Sequence, residues 1–167
     1  MTSLGDNPRR RAGLACLWLA ACLGCVHAGF SLYWAAGGTW LLETIGQWAV
    51  RAAAEGGPLV TGVLAGIGVL KLVVALAPAL VERFGTSGLR RPVRGLSWVA
   101  ALGLTAYGGV NTLVAALVLF GVIRTEDGYD RQAMIGHALL WDPLFLAWGL
   151  SLLAALVLTR PIPGGGS

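Results

Sequence analysis

The sequence predicts an all-α integral membrane protein, a four-helix transmembrane bundle with an amphipathic helix lying along its outer interface. Three observations carry that expectation. Only 12% of the 167 residues are charged and 56% are hydrophobic, where a soluble domain carries about 25% charge. The mean hydropathy is +0.73. The apolar residues gather into four runs, each long enough to cross a hydrocarbon core of about 30 Å at about 1.5 Å per residue. No polar stretch between them is long enough to bury a core of its own, so residues 1–167 read as one transmembrane domain.

The first run covers about 12–38 and follows Arg9, Arg10 and Arg11. Charge followed by apolar residues imitates a secretory leader, but the run is too long for one and has the length of a span. After it, Trp40, Leu41, Ile45, Trp48, Ala49 and Ala52 recur at helical spacing, with Glu43, Gln47 and Arg51 on another side. That pattern predicts an interfacial helix with its tryptophans at headgroup depth, ended by Gly56-Gly57-Pro58. The second run is about 59–81 and the third about 96–123, with Arg83, Arg90, Arg91 and Arg94 assigned to the loop between them. A short acidic turn, 124–130, carries Glu126, Asp127 and Asp130. The fourth run is about 134–158. Within it Asp142 precedes Pro143, a cap residue before a residue favoured at the first helical position. The span therefore starts or kinks there, leaving 131–141 as a separate short helix.

Orientation follows from the arginines. Arg9, Arg10, Arg11, Arg83, Arg90, Arg91, Arg94 and Arg160 fall on one side, and Arg51, Arg124 and Arg131 on the other. Eight against three places both termini in the cytoplasm. The same distribution explains a pI of about 9.4 without nucleic acid, since no basic face alternates with stacking aromatics. The two halves also align at an offset of 80 residues: Arg10 and Arg11 overlay Arg90 and Arg91, Trp18 overlays Trp98, and Gly29 overlays Gly109. This is either a parallel two-helix repeat or a chance match in a chain rich in Ala, Gly and Leu.

Polar groups are costly in hydrocarbon, so those inside the spans are the candidates for function. On the first span Ala20, Gly24, His27, Ser31, Trp34 and Gly38 share a face; on the second Thr61, Leu64, Gly68, Lys71, Ala75 and Pro78; on the third Tyr107, Asn111 and Ala115. Small and polar stripes face neighbouring helices. Lys71 is the one lysine among twelve cationic residues, roughly 15 Å from either end of its span at about 1.5 Å per residue. It needs a partner, a wet cavity or a lowered proton affinity. Asp142 and Glu43 are the candidate counter-charges, and a structural ion pair or a hydrated interhelical lysine is the plain alternative. Asp142 is either a cap, a functional carboxylate, or both. His27, Lys71, Asn111 and Asp142 all lie in the outer halves of their spans, where they would converge on one pocket.

Two cofactor patterns are present in weak form. His27 and His137 are the only histidines, and paired histidines ligate haem in some membrane bundles, yet the two sit at different depths. Cys22-x-x-Cys25 has thiol-exchange spacing, but it lies mid-span with Cys16 as the only further thiol. No phosphate loop, nucleophile elbow or zinc-ligand spacing marks an enzyme, and the sequence names no cofactor.

The run from His27 through Ser31 and Trp34 to Gly38, the helix of Asn111, and the stretch from Gly136 through His137, Asp142 and Pro143 to Gly149 resemble the domain of unknown function 3995 family. Its members are small bacterial membrane proteins frequent in actinobacteria. The likeness spans about 14–158 and implies a multi-pass protein of a bacterial plasma membrane, with no activity attached. The expectation is then an outward-facing polar pocket formed by His27, Ser31, Lys71, Asn111, His137 and Asp142. It would hold a small molecule, a lipid or a proton, or the chain would serve as a membrane partner subunit. The alternatives are a membrane oxidoreductase using haem or quinone and a purely structural or assembly protein.

Overall fold

In the computed structural model, which describes residues 7–124, 126 and 128–160, the chain is helical throughout, with no strand among those residues. Helix α1 runs Pro8–Ala35, and the Asn7 side chain caps it by accepting the Arg9 amide at 3.0 Å. The three N-terminal arginines are therefore helical rather than a tail. A turn through Gly37 (φ 91°) and a 3₁₀ turn, Leu42–Thr44, lead to α2, Gln47–Glu55. Helix α3 is Gly57–Phe84 and α4 is Ser87–Leu119. Arg90, Arg91 and Arg94, expected in a loop, are the first turns of α4. The last span begins as α5, Arg131–Gly136, passes through a π turn, His137–Trp141, and continues as α6, Asp142–Leu158.

Four helical segments are long and apolar enough to cross a membrane: Pro8–Ala35, Gly57–Phe84, Ser87–Leu119 and Arg131–Leu158. Whereas α3 and the last span start close to their expected intervals, α1 and α4 start well before theirs, because charged residues at the termini end are absorbed into them. There the guanidinium groups serve as caps for backbone carbonyls left over at helix C-termini. Arg90 donates to the carbonyls of Glu82 and Gly85 at the end of α3. Arg94 donates to the Leu156 carbonyl and the Thr159 hydroxyl, and Arg9 to the Val157 carbonyl, all at the end of α6. An Arg10–Glu82 ion pair at 3.0 Å ties α1 to α3.

Helix α1 packs along α3 and α6, and α4 packs along α6, while α3 and α4 touch only sparingly. Under the offset of 80 residues α1 corresponds to α4 and α3 to α6, and both corresponding pairs, α1·α3 and α4·α6, are extensively packed. Small residues set these approaches. A Cβ on Gly108 would lie 2.4 Å from the Leu146 amide nitrogen, so α4 and α6 meet backbone to backbone. The core at mid-depth is Leu17, Ala20, Ala21, Ala75, Ala79, Ala101, Trp148 and Leu152 with its neighbours. On α1 the expected inner face is observed within the helix: Ala20, Gly24, His27, Ser31 and Trp34 are all buried, while Gly38 lies beyond its end. On α4 only Ala115 of the expected face is buried. Tyr107 is 53% exposed, and the inner face is Ser97, Ala101, Gly108 and Ala115. The close seating of Gly108 on α6 fixes that rotation and turns Tyr107 outward.

The opposite end of the bundle is closed by aromatic residues. The Trp141 ring meets those of Phe30 and Trp34 edge-on, at 5.0 and 5.1 Å between centroids. Leu42 and Ala49 of the α2 region bury against this cluster, while Trp40 and Trp48 remain exposed. Asp130 fastens α2 to α5: its carboxylate caps the Ala133 amide and also accepts the Gln47 amide at 2.9 Å. Those backbone bonds, the one from Ala133 first, hold the Asp130 carboxyl below the usual aspartate range. Asp127, named in the expected acidic turn, lies outside the described residues.

Candidate functional site

Two polar groupings lie inside the span segments near the α2 end. In the first, α1 supplies His27 and Ser31, both 3% exposed, one helical turn apart on the face turned to α3. Helix α3 supplies Lys71, whose Nζ donates to Ser31 Oγ at 2.9 Å and sits 3.2 Å from His27 Nδ1. Lys71 as an ammonium has only donors, so Nδ1 must be the acceptor and the imidazole proton resides on Nε2. That Nε2 is buried and has no hydrogen-bond partner among the described residues. Phe145 of α6 closes the grouping. Its ring lies 3.8 Å from the His27 ring centroid, and Lys71 Nζ stands 5.3 Å above the Phe145 centroid, a cation–π contact. Gly68, one turn before Lys71, admits the approach of α1, since a Cβ there would lie 2.6 Å from Leu32.

The second grouping is built within one chain segment. Asp142 is 1% exposed, and its Oδ2 meets His137 Nδ1 at 2.9 Å. Residues five apart on a regular α-helix point in different directions, because five steps of about 100° overshoot a full turn by about 140°. The π turn at His137–Trp141 widens the spiral and brings the two side chains together. Pro143 explains where the turn falls: without an N–H it cannot close the regular helical bond to the residue four before it. The turn is stapled from outside by Trp141 Nε1 donating to Thr44 Oγ1 at 2.9 Å. Gly136 leaves room for the Thr44 carbonyl, which a Cβ would meet at 2.1 Å. Asp142 has helical dihedrals (φ −78°, ψ −36°) and its carboxylate is spent on His137. It is therefore not the N-cap that its place before Pro143 implied. The short helix expected before it is present as α5 and the π turn.

The six expected residues do not form one constellation. Lys71 has no carboxylate within ion-pair distance among the described residues, so neither Asp142 nor Glu43 serves as its counter-charge. Asn111 stands apart, its amide donating to the Tyr107 carbonyl of its own helix at 2.9 Å. His27 and His137 each engage Nδ1 with a different partner, and Phe145 packs against the His27 ring. Cys16, Cys22 and Cys25 are all free thiols. Among the described residues no group of three His, Cys, Asp or Glu side chains is placed to hold a metal ion. Two hollows lie elsewhere. One of about 60 Å³ sits between the helices at the termini end, and a shallow apolar groove of about 330 Å³ runs beside Cys25, Gly29 and Tyr33.

Sequence reasoning missed Phe145, the ring that packs against both Lys71 and His27, because an apolar residue in a span carries no mark of its role. It also missed the His137–Asp142 bond. The signal for that was present in the five-residue separation directly before a proline, which only a widened turn can bring together.

The comparisons with known proteins bear on the same stretch. No curated protein and no solved structure matches the chain. The family model described as "Protein of unknown function (DUF3995)" matches residues 24–152, a stretch that includes all six expected residues. With well over half of its length matched, the chain belongs to that family.

Proposed function

We propose that this membrane protein holds a proton or a small polar ligand at the Lys71 grouping, with His27 and Ser31 as its partners and His137–Asp142 as a separate polar post nearer the α2 end. One observation carries the reading: Lys71 Nζ, within the span, is held by His27 and Ser31 and, among the described residues, meets no carboxylate. A buried charge with neutral partners is expensive to keep and marks function more often than packing. We place the protein in a bacterial plasma membrane with both termini and the α3–α4 turn in the cytoplasm, supported by the arginines gathered at that end. Reporter fusions at residues 86 and 128 test the orientation, and the reverse pattern overturns it.

Native mass spectrometry of the full chain, taken gently from its host membrane, tests the site. A small molecule retained by the wild type and absent from Lys71→Met, with both proteins folded, supports the reading. A bare wild-type chain whose Lys71→Met variant also keeps the host phenotype leaves a structural or assembly role. That second reading is favoured by Phe145, which fills the space between Lys71 and α6.

A further inference from the structure

At the termini end, all four long helices contribute to the hollow of about 60 Å³. One water needs about 10–15 Å³ of such space, so the hollow has room for a tetrahedral oxyanion rather than for a single solvent molecule. Its polar wall is basic. Arg90 and Arg94 of α4 line it with Ser97 and Thr159, and the one carboxylate there, Glu82, is already paired to Arg10. Ser97 and Thr159 spend their hydroxyl protons on the carbonyls of Val93 and Ala155. The two guanidinium groups hold their carbonyl caps through some of their N–H groups, Arg90 through Nε and Nη2 and Arg94 through Nη1 and Nη2. Each guanidinium has five donors, so among the described residues Arg90 Nη1 and Arg94 Nε remain to be matched. Net positive charge, spare donors and a hollow therefore coincide.

We propose that this hollow is a binding site for the phosphate of an anionic phospholipid. The site lies at the end of the apolar helices, where lipid headgroups lie, and the surfaces beside it suit acyl chains. Phe84 of α3 and Leu89 and Leu96 of α4 are 73%, 53% and 69% exposed. The helices that carry them, α3 and α4, touch each other only sparingly. Basic pockets between transmembrane helices recognise such headgroups as point sites, over and above a diffuse surface attraction. Arg90 and Arg94 would bind the phosphate oxygens without releasing the ends of α3 and α6, so an occupied site also braces both helices.

The test uses the full chain in detergent, exchanged against phosphatidylglycerol, against phosphatidylcholine of the same acyl chains, or against inorganic phosphate. Native mass spectrometry counts retained lipid, and thermal unfolding reads its effect. The expected result is one phosphatidylglycerol held per chain, about tenfold in preference to phosphatidylcholine. Arg90→Gln and Val93→Phe should lose it, and Arg91→Gln, which alters an exposed neighbour outside the hollow, should keep it. Val93→Phe fills the space while leaving every charge and cap in place, so the test survives misfolding of Arg90→Gln. Loss in Arg91→Gln equal to that in Arg90→Gln would mean a diffuse field and overturn the site. Retention by Val93→Phe would put the lipid outside the hollow and overturn it as well. Equal stabilisation by inorganic phosphate would assign a free anion and overturn the lipid.

Discussion

The two polar groupings solve the same problem in opposite ways. Lys71 reaches across an interface, from α3 to two neutral side chains of α1. Asp142 stays within its own segment and takes a partner five residues away, at the cost of a π turn. The first arrangement leaves a positive charge that, among the described residues, no carboxylate balances. The second joins an acid to a base able to carry the opposite charge, and His137 keeps 29% of its side chain exposed. Of these two groupings, the one that balances its charge does so within the last span and not across the bundle. A reader of the sequence, seeing one lysine and one aspartate in the spans, pairs them; the fold keeps them apart and sets Phe145 against Lys71.

That contrast can be broken most forcefully at His137. His137→Ala leaves the carboxylate of Asp142 buried without its partner, a change that typically costs about 3–5 kcal/mol. Asp142→Asn keeps a hydrogen bond to the ring and should cost far less. Equilibrium unfolding in detergent reads both, and equal losses would show that the π turn, not the charge, sets the stability. Lys71→Met should behave differently. It removes a partly buried charge and its desolvation cost while leaving Ser31 and His27 one donor short, so the net change should stay within about 1 kcal/mol. A loss as large as that of His137→Ala would make Lys71 a structural element and end the contrast. Combining Lys71→Met with Asp142→Asn sharpens it further. Sites without shared partners add within about 0.5 kcal/mol, and a larger coupling in the double-mutant cycle would reveal a connection through Phe145.

The smallest effect belongs to a carboxylate outside the spans. Asp130 is held below its ordinary range by the amides of Ala133 and Gln47. Because the folded form binds its proton more weakly than the unfolded form, the clasp between α2 and α5 is fully in place above the ordinary aspartate value of about 3.9. It is lost as pH falls through the lower folded value. Hydrogen exchange at the Gln47 and Ala133 amides should therefore quicken only in that acidic window, with the spans unaffected. Faster exchange already at neutral pH would show that the clasp does not form.

The four spans were legible because lipid demands long apolar runs and the sequence carries four of them. The inner face of α1 was legible for a related reason: small and polar residues recur at helical spacing, and the face they define is the one buried. On α4 the same reading picked Tyr107 and Asn111, since polarity was taken as the mark of the interior. There the rotation is decided by Gly108, whose missing side chain lets α4 sit on the backbone of α6. Polar residues show what a face would avoid, whereas close backbone approach shows where a neighbour is. The arginines were misassigned because charge was read as loop, while at a helix end a guanidinium is a cap. Lys71, His27 and Ser31 were each visible as candidates, but their meeting depends on the register of α3 against α1, which no local pattern contains.

The seam between the first and last helices carries one more implication. Arg9 bonds the Val157 carbonyl, and a Cβ on Gly13 would lie 2.7 Å from Thr159, so the start of α1 and the end of α6 are neighbours. A short flexible linker from residue 160 to residue 7 would close the chain into a ring without bridging any distance across the fold. New ends could then be cut at Gly85 and Thr86, between two helices that touch only sparingly. Such a circular permutant would present α4 through α6 first and α1 through α3 second, and its insertion would show whether the order of the halves matters to the bilayer at all.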